Sequence, residues 1–246
     1  MDVKAADGSS EGDAVRERFA HAAGHFAARA EEQAPILAER ASRFLQPLTG
    51  DERALDAGTG AGALALALST LVAEVVACDV VPELLAEGKR LAAERPNISF
   101  VEADMLALPF PDASFDLTCT LRTLHHIVNP ERALAELVRV TRRNGRLLVI
   151  DQLAPLDPLR ALEIDRFERL RDRSHTRTLS DQDVRMLLDM NGLTLLRQEI
   201  VPEERELESF LDSAGCEGAE RERVRALAPG ERFTIEVGWY LLQRRA

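Results

Sequence analysis

The sequence predicts an α/β fold, a mostly parallel sheet with helices on both faces. Three observations carry that expectation. Short apolar stretches alternate with helical patterns from residue 53 onward. A strand, a glycine turn and a helix open the series in the run Ala54-Leu55-Asp56-Ala57-Gly58-Thr59-Gly60-Ala61-Gly62. Two of the helical patterns start on a proline, Pro82 and Pro130, a residue pre-set for the first helical turn.

Residues 1–12 are polar and are expected to be disordered. Residues 13–45 form a helical pattern in which Pro35 predicts a break and the start of a second helix. Phe19, Phe26, Ile36, Leu37, Phe44 and Leu45 supply its apolar face. Residues 47–51 link it to the βα series.

The first strand spans 53–56 and its helix 61–71. Strand two is 74–80, followed by a helix over 82–94. Strand three is 97–103 and strand four 115–120. A helix over 130–141 ends at Asn144-Gly145, and strand five follows at 146–153. A further helix covers 156–170, with a polar loop over 171–178. Ser180 caps the next helix, which stops at Asn191-Gly192. Strand six is 193–201, a helical stretch runs from 203 to 227, and strand seven is 233–242.

At 246 residues the chain has room for one α/β domain with additions. A net charge of −11 repels phosphate backbones, and one Trp with one Tyr offers few stacking platforms, so no nucleic-acid partner is expected. The three cysteines are far apart without C-x-x-C spacing, and Cys78 and Cys119 fall in strands as buried thiols. No His/Cys set has zinc spacing, so no metal is expected. The longest apolar run is too short to cross a bilayer, and no apolar leader opens the sequence. A cytoplasmic protein without stable membrane insertion is the expectation. Nothing fixes its oligomeric state.

Glycines at 58, 60 and 62 let the main chain turn where a Cβ would obstruct it, and they bring bare backbone and a helix N-terminus against a ligand. A nucleotide-type cofactor suits such a cradle. The spacing is G-x-G-x-G rather than the G-x-G-x-x-G of dinucleotide folds. Ligands in such sheets lie at the carboxyl ends of the strands. Asp79 ends strand two, where an acceptor-only carboxylate can take both hydroxyls of a ribose. Asp104 follows strand three, where it can accept from an adenine amine while the Met105 N–H faces a ring nitrogen.

The glycine run, together with Leu108-Pro109-Phe110-Pro111-Asp112-Ala113-Ser114-Phe115-Asp116 before strand four, resembles the class I S-adenosylmethionine-dependent methyltransferases. The pair His125-His126 after strand four narrows the resemblance to the ubiquinone/menaquinone-biosynthesis-like (methyltransferase type 11) branch. It extends more loosely through Arg169-Leu170-Arg171-Asp172-Arg173-Ser174-His175, where Arg173 stands in place of a common Pro. The resemblance implies a Rossmann-like seven-stranded sheet with an antiparallel last strand. It also implies an N-terminal tail and helical lid over 1–47, and a methyltransferase domain over 48–246 with an insert at about 156–179.

The implied cofactor is S-adenosyl-L-methionine, giving S-adenosyl-L-homocysteine, and the implied partner is a small-molecule substrate. The implied cofactor-binding residues are Asp56, Ala57, Gly58, Thr59, Gly60, Gly62, Asp79, Val80, Ala103, Asp104, Met105 and Leu121. His126, with His125 beside it, is the candidate base or acceptor-orienting group, because an imidazole can take a proton at neutral pH. Phe19 and Phe26 of the lid, Arg122, Asp151 and His175 are the candidate acceptor-binding residues. Adjacent residues leaving a strand tend to point to opposite sides, so the two histidines are expected to be unequal. Two alternatives stay open: a cofactor-binding protein without transferase activity, and an NAD-dependent oxidoreductase. The latter lacks support because the only Tyr is Tyr240 in the last strand.

Overall fold

The computed structural model describes residues 16–245. A helical stretch at 16–21 leads into α1 (Ala23–Phe44). The βα series then runs β1 (Arg53–Ala57), α2 (Ala63–Leu68), β2 (Glu74–Asp79), α3 (Pro82–Leu91), β3 (Ile98–Glu102), β4 (Phe115–Leu121), α4 (Pro130–Val140) and β5 (Thr141–Leu153). The remainder is α5 (Pro158–Arg171), α6 (Asp181–Met190), β6 (Leu193–Glu206), α7 (Leu207–Ser213), α8 (Gly218–Arg225) and β7 (Arg232–Arg244).

One seven-stranded sheet results, in the order β3-β2-β1-β4-β5-β7-β6. β1 to β5 pair in parallel, and β7 runs antiparallel to both β5 and β6. β1 and β2 are buried on both faces, as apolar runs such as Val75 to Cys78 require. Successive residues therefore feed opposite cores. Leu55, Val76, Cys78 and Leu147 pack with Leu134 and Leu137 of α4 and Leu188 of α6. Ala54, Val75, Ala77 and Leu148 pack with Phe44 of α1 and Leu64 and Leu68 of α2. Phe167, Leu207, Leu211 and Val224 join α5, α7 and α8 in a small separate core.

Several expectations are corrected. Pro35 lies inside α1 without ending it, and the helical run is interrupted at Ala22 instead. The stripe Ala27, Ala30, Ala34, Ala41 and Phe44 is buried on both sides of Pro35, so packing outweighs the one missing N–H. Ile36 lies off that stripe and is exposed. The helix after the glycine turn is shorter than expected, because Gly62 adopts a left-handed φ of 92° and the helix starts only after it. α4 ends at Val140, and Asn144-Gly145 falls within β5, in an irregularity opposite β4 rather than at a helix end. β6 extends to Glu206, and the expected long helix over 203–227 is two short helices. Pairing with β7 along the whole of β6 holds this charged segment extended. The Ser180 cap is present as a capping box with Asp183, and Asn191-Gly192 ends α6. Cys78 and Cys119 are buried strand residues. The expected disorder over 1–12 lies outside the described residues. No described helix is long and apolar enough to cross a membrane.

Candidate active site

The carboxyl ends of β3, β2, β1 and β4 lie side by side, so the loops after them converge. The glycine loop folds back on β2: the N–H groups of Gly58 and Thr59 both donate to the Cys78 carbonyl, at 2.8 and 3.0 Å. Gly58, Gly60 and Gly62 all have positive φ. Their surroundings differ. A Cβ on Gly58 would meet the Thr123 side chain, and one on Gly62 would touch the Phe100 ring. A Cβ on Gly60 would enter open space, so the bare main chain there faces room for a ligand. Leu121, Ala57, Val80, Ala103 and Met105 border this loop or the adjoining strand ends, with Ala57 and Met105 buried.

Two carboxylates stand at the loop. Asp56 is fully buried under α2 and accepts from the Thr59 hydroxyl at 2.6 Å. Its other oxygen, Oδ1, has no hydrogen-bond partner among the described residues. Burial pushes the Asp56 carboxyl up to about 7 against the Thr59 hydroxyl, and the Asp79 charge adds to the rise. Asp79 accepts from Gly60 N at 2.8 Å and from Val81 N at 3.0 Å. Burial raises its pKa as well, opposed by those N–H groups. One lone pair on each oxygen of Asp79 remains for a ligand. Asp104 is exposed and turns its own loop by accepting from Leu106 N at 2.8 Å. Open space over Gly60, flanked by two carboxylates with no cationic side chain paired to either among the described residues, fits a ligand that carries hydroxyls and positive charge.

The histidines follow β4 on a short 3-10 turn, Leu124–His126. The turn defeats strand alternation: the two rings lie 4.1 Å apart, on the same side. They are unequal in their partners. His125 is buried, and its Nδ1 meets Asp151 Oδ1 at 2.5 Å. Burial acts to raise the Asp151 pKa, but the charge and hydrogen bond of His125 outweigh it and hold the carboxyl below the usual range. An ionised Asp151 accepts the Nδ1 proton and leaves Nε2 of His125 as the basic nitrogen. His126 is half-buried and meets the Ser174 hydroxyl through Nδ1 at 3.0 Å. Burial, and then the neighbouring His125, hold its pKa well below the ordinary imidazole value. Asp151 and His175 are both buried, Asp151 on His125 and the His175 ring 5.7 Å from that of His125. His175 faces Asp165 at 3.1 Å, and burial followed by His125 lowers its pKa.

The N-terminal segment reaches both halves of the site. Ala27 and Ala30 of α1 pack on Ala61, Val81 and Leu84, beside the glycine loop. Phe19 packs edge-on against His126 at 5.1 Å and against Phe26 at 5.2 Å. Sequence reasoning missed Thr123, Asp172, Ser174 and Arg18. Ser174 donates to Asp172 at 2.5 Å, and Arg18 lies 3.6 Å from Asp172. Asp172 and Ser174 stand in the 169–175 run, adjacent to His175, and that position was the available signal. Arg173, in place of Pro, points outward to Glu220, and the turn is held instead by Ser174 N on Asp172 at 3.0 Å. A cleft lined by Thr49, Glu52, Asp116 and Arg142 opens at the opposite, amino ends of the strands. Among the described residues no group of side chains could hold a metal ion.

Residues 55–149 match the family model described as a methyltransferase domain. The chain is 35% identical over 145 residues to the uncharacterized methyltransferase YcgJ of Bacillus subtilis, covering 58% of this chain and 57% of that protein. It is 37% identical over 118 residues to a demethylmenaquinone methyltransferase of Clavibacter sepedonicus, covering 48% of each. The chain thus spans about half the length of these curated relatives. The crystal structure of the B. subtilis YcgJ protein superposes with a TM-score of 0.76 over 85% of this chain and 98% of that one, at 24% identity. The matched segment runs from β1 to β5 and contains the glycine loop, both carboxylates and the histidine pair. Residues 55–149 match the methyltransferase domain family model, and the chain around them has the seven-stranded, Rossmann-like fold of the YcgJ structure.

Proposed function

We propose that the protein transfers a methyl group from S-adenosylmethionine to a small-molecule acceptor, leaving S-adenosylhomocysteine. The observation that carries this reading is the cradle at Gly60, open to a ligand and flanked by Asp56 and Asp79 inside the matched domain. When bound, S-adenosylmethionine would supply an already activated methyl group, its carbon–sulfur bond breaking as an electron pair of the acceptor forms the new bond and the bonding pair staying on sulfur.

The chain's residues hold and shield. Asp79 would take the ribose hydroxyls with its free lone pairs, and Asp104 and Met105 would flank the adenine. The Asp79 carboxylate would offset the positive charge of the cofactor, and Asp56 would brace the glycine loop through the Thr59 hydroxyl. Phe19, Phe26 and α1 would cover the site and keep water out, which aligns the reactants in a dry space. Where the acceptor carries a proton, Nε2 of His125 would take it, with Asp151 stabilising the imidazolium that forms. His126, neutral and backed by Ser174, would orient the acceptor beside Phe19.

Calorimetry with S-adenosylmethionine, S-adenosylhomocysteine and NAD tests the reading, followed by a turnover screen with candidate acceptors. Binding of the first two and not of NAD is expected. Tight NAD binding without binding of either sulfur compound would refute it.

A further inference from the structure

Three arginines from three separate elements gather around Glu203, and one of them, Arg122, leaves β4 three residues before His125. Arg29 lies on α1, one turn beyond Phe26. Arg122 is the residue after β4, and its backbone holds a left-handed φ of 52°, an unfavourable conformation for a side-chain-bearing residue. Arg205 comes from the distal end of β6. A single carboxylate serves two of them: Glu203 accepts from Arg122 and, at 2.6 Å, from Arg205. Arg29 makes no hydrogen bond or ion pair with any described residue, although it is half-buried.

The neighbouring charges do not supply the missing partner. Arg171 is satisfied by Glu168 at 2.7 Å, with both side chains buried, and its guanidinium lies 3.9 Å from the Phe210 ring centroid. Arg18 donates to the Ser213 carbonyl at 2.6 Å and lies 3.6 Å from Asp172, with which its charge already pairs; its buried Nε has no hydrogen-bond partner among the described residues. Burial lowers the Arg29 pKa, and the charges of Arg122 and Arg205 lower it further while Glu203 opposes. Two guanidiniums thus share one carboxylate and the third has no partner among the described residues, in a partly desolvated place of a chain whose net charge is −11. Like charges gathered out of water cost stability unless something offsets them. Guanidiniums are suited to forked recognition of carboxylate and phosphate oxygens.

We propose that Arg29, Arg122 and Arg205 form a receptor for an anionic group, carboxylate or phosphate, on the methyl acceptor. This rests on the methyltransferase reading, because Arg122 leaves the carboxyl end of β4 in the same loop as the histidine pair. The remaining cation, Arg29, rides on the covering helix, so an anionic acceptor would tie that helix down over itself.

The test titrates three probes into the S-adenosylhomocysteine-saturated protein by calorimetry: inorganic phosphate, benzoate and neutral benzamide. Binding of phosphate or benzoate at one site is expected, and the better probe identifies the source of the anion; benzamide should not bind. Arg29→Gln should weaken the anion about ten- to hundredfold and Arg29→Lys less, with the affinity for S-adenosylhomocysteine kept within about twofold. Arg205→Gln, which leaves Glu203 paired to Arg122, should weaken the anion similarly and serves if Arg29→Gln does not fold. The proposal is overturned if neither anion binds the wild type, if the variants bind as well as the wild type, or if benzamide binds equally. It is also overturned if Arg29→Gln weakens S-adenosylhomocysteine as much as the anion, since the arginine would then serve the cofactor's own carboxylate. Should S-adenosylhomocysteine itself fail to bind, the methyltransferase reading falls, and the same titrations on the free protein still decide the anion receptor.

Discussion

Asp56 is expected to make the ligand-free protein less stable as pH rises, and Asp56→Asn to abolish that effect. In the folded chain its carboxyl is raised from 3.8 to about 7 by burial. The folded state therefore keeps a proton that the unfolded state releases. The stability from that proton is complete below pH 3.8 and is lost as the pH rises through about 7. A shift of about three pH units at about 1.4 kcal/mol each gives about 4 kcal/mol lost across that window. Asn does not titrate, and its carbonyl can still accept from Thr59. Its amide must occupy the unpartnered Oδ1 position, which costs about 1–3 kcal/mol. The offset is independent of pH, so the difference curve isolates the carboxylate. Urea unfolding of wild type and Asp56→Asn at pH 5, 6, 7 and 8 measures it. The wild type should lose stability relative to the variant by an amount that grows to a few kcal/mol at pH 8. A flat difference across that range would refute the reasoning, because Asp56 would then be ionised in the fold without cost.

Asp79→Ala removes the acceptor of Gly60 N and Val81 N as well as the ribose contacts. It should weaken S-adenosylhomocysteine by about 1–3 kcal/mol in calorimetry and also lower the melting temperature without ligand. An unchanged melting temperature would show that the two backbone bonds contribute nothing net. For an acceptor that must lose a proton, His125→Ala should cut turnover about 10²–10⁴-fold at nearly constant cofactor affinity. His126→Ala should act mainly on the acceptor's KM. Equal and small losses in kcat for both variants would remove histidine from proton transfer.

The parallel core was legible because its strands are continuous apolar runs ended by turn residues. Ser180 and Asn191-Gly192 announced α6 through local chemistry that works the same way in any setting. Pro35 misled because a local rule met a long buried stripe. Residues 203–206, Glu203-Glu204-Arg205-Glu206, look helical by composition and are extended only because β7 pairs with them. The glycine loop, Asp79 and the histidines could be placed by their positions after strands. The tautomer of His125 could not, because Asp151 lies 26 residues away and meets it only in the fold. Arg122 could be singled out by its place after β4, but Arg29 and Arg205 look like any other Lys or Arg of the chain until the fold brings them near it.

β7 lies between β5 and β6, and β6 pairs with no other strand. During synthesis, everything from β1 to β6 is therefore made before the strand that joins the last two edges. Until β7 emerges, β5 presents an open edge with Leu147 to Ile150 on it, and β6 has no hydrogen-bonding partner in the sheet. Unpaired edges of this kind are templates for association with other chains. The nascent protein thus passes through an interval in which chaperone protection matters most, and a block that delays β7 should leave aggregates rather than a smaller folded domain.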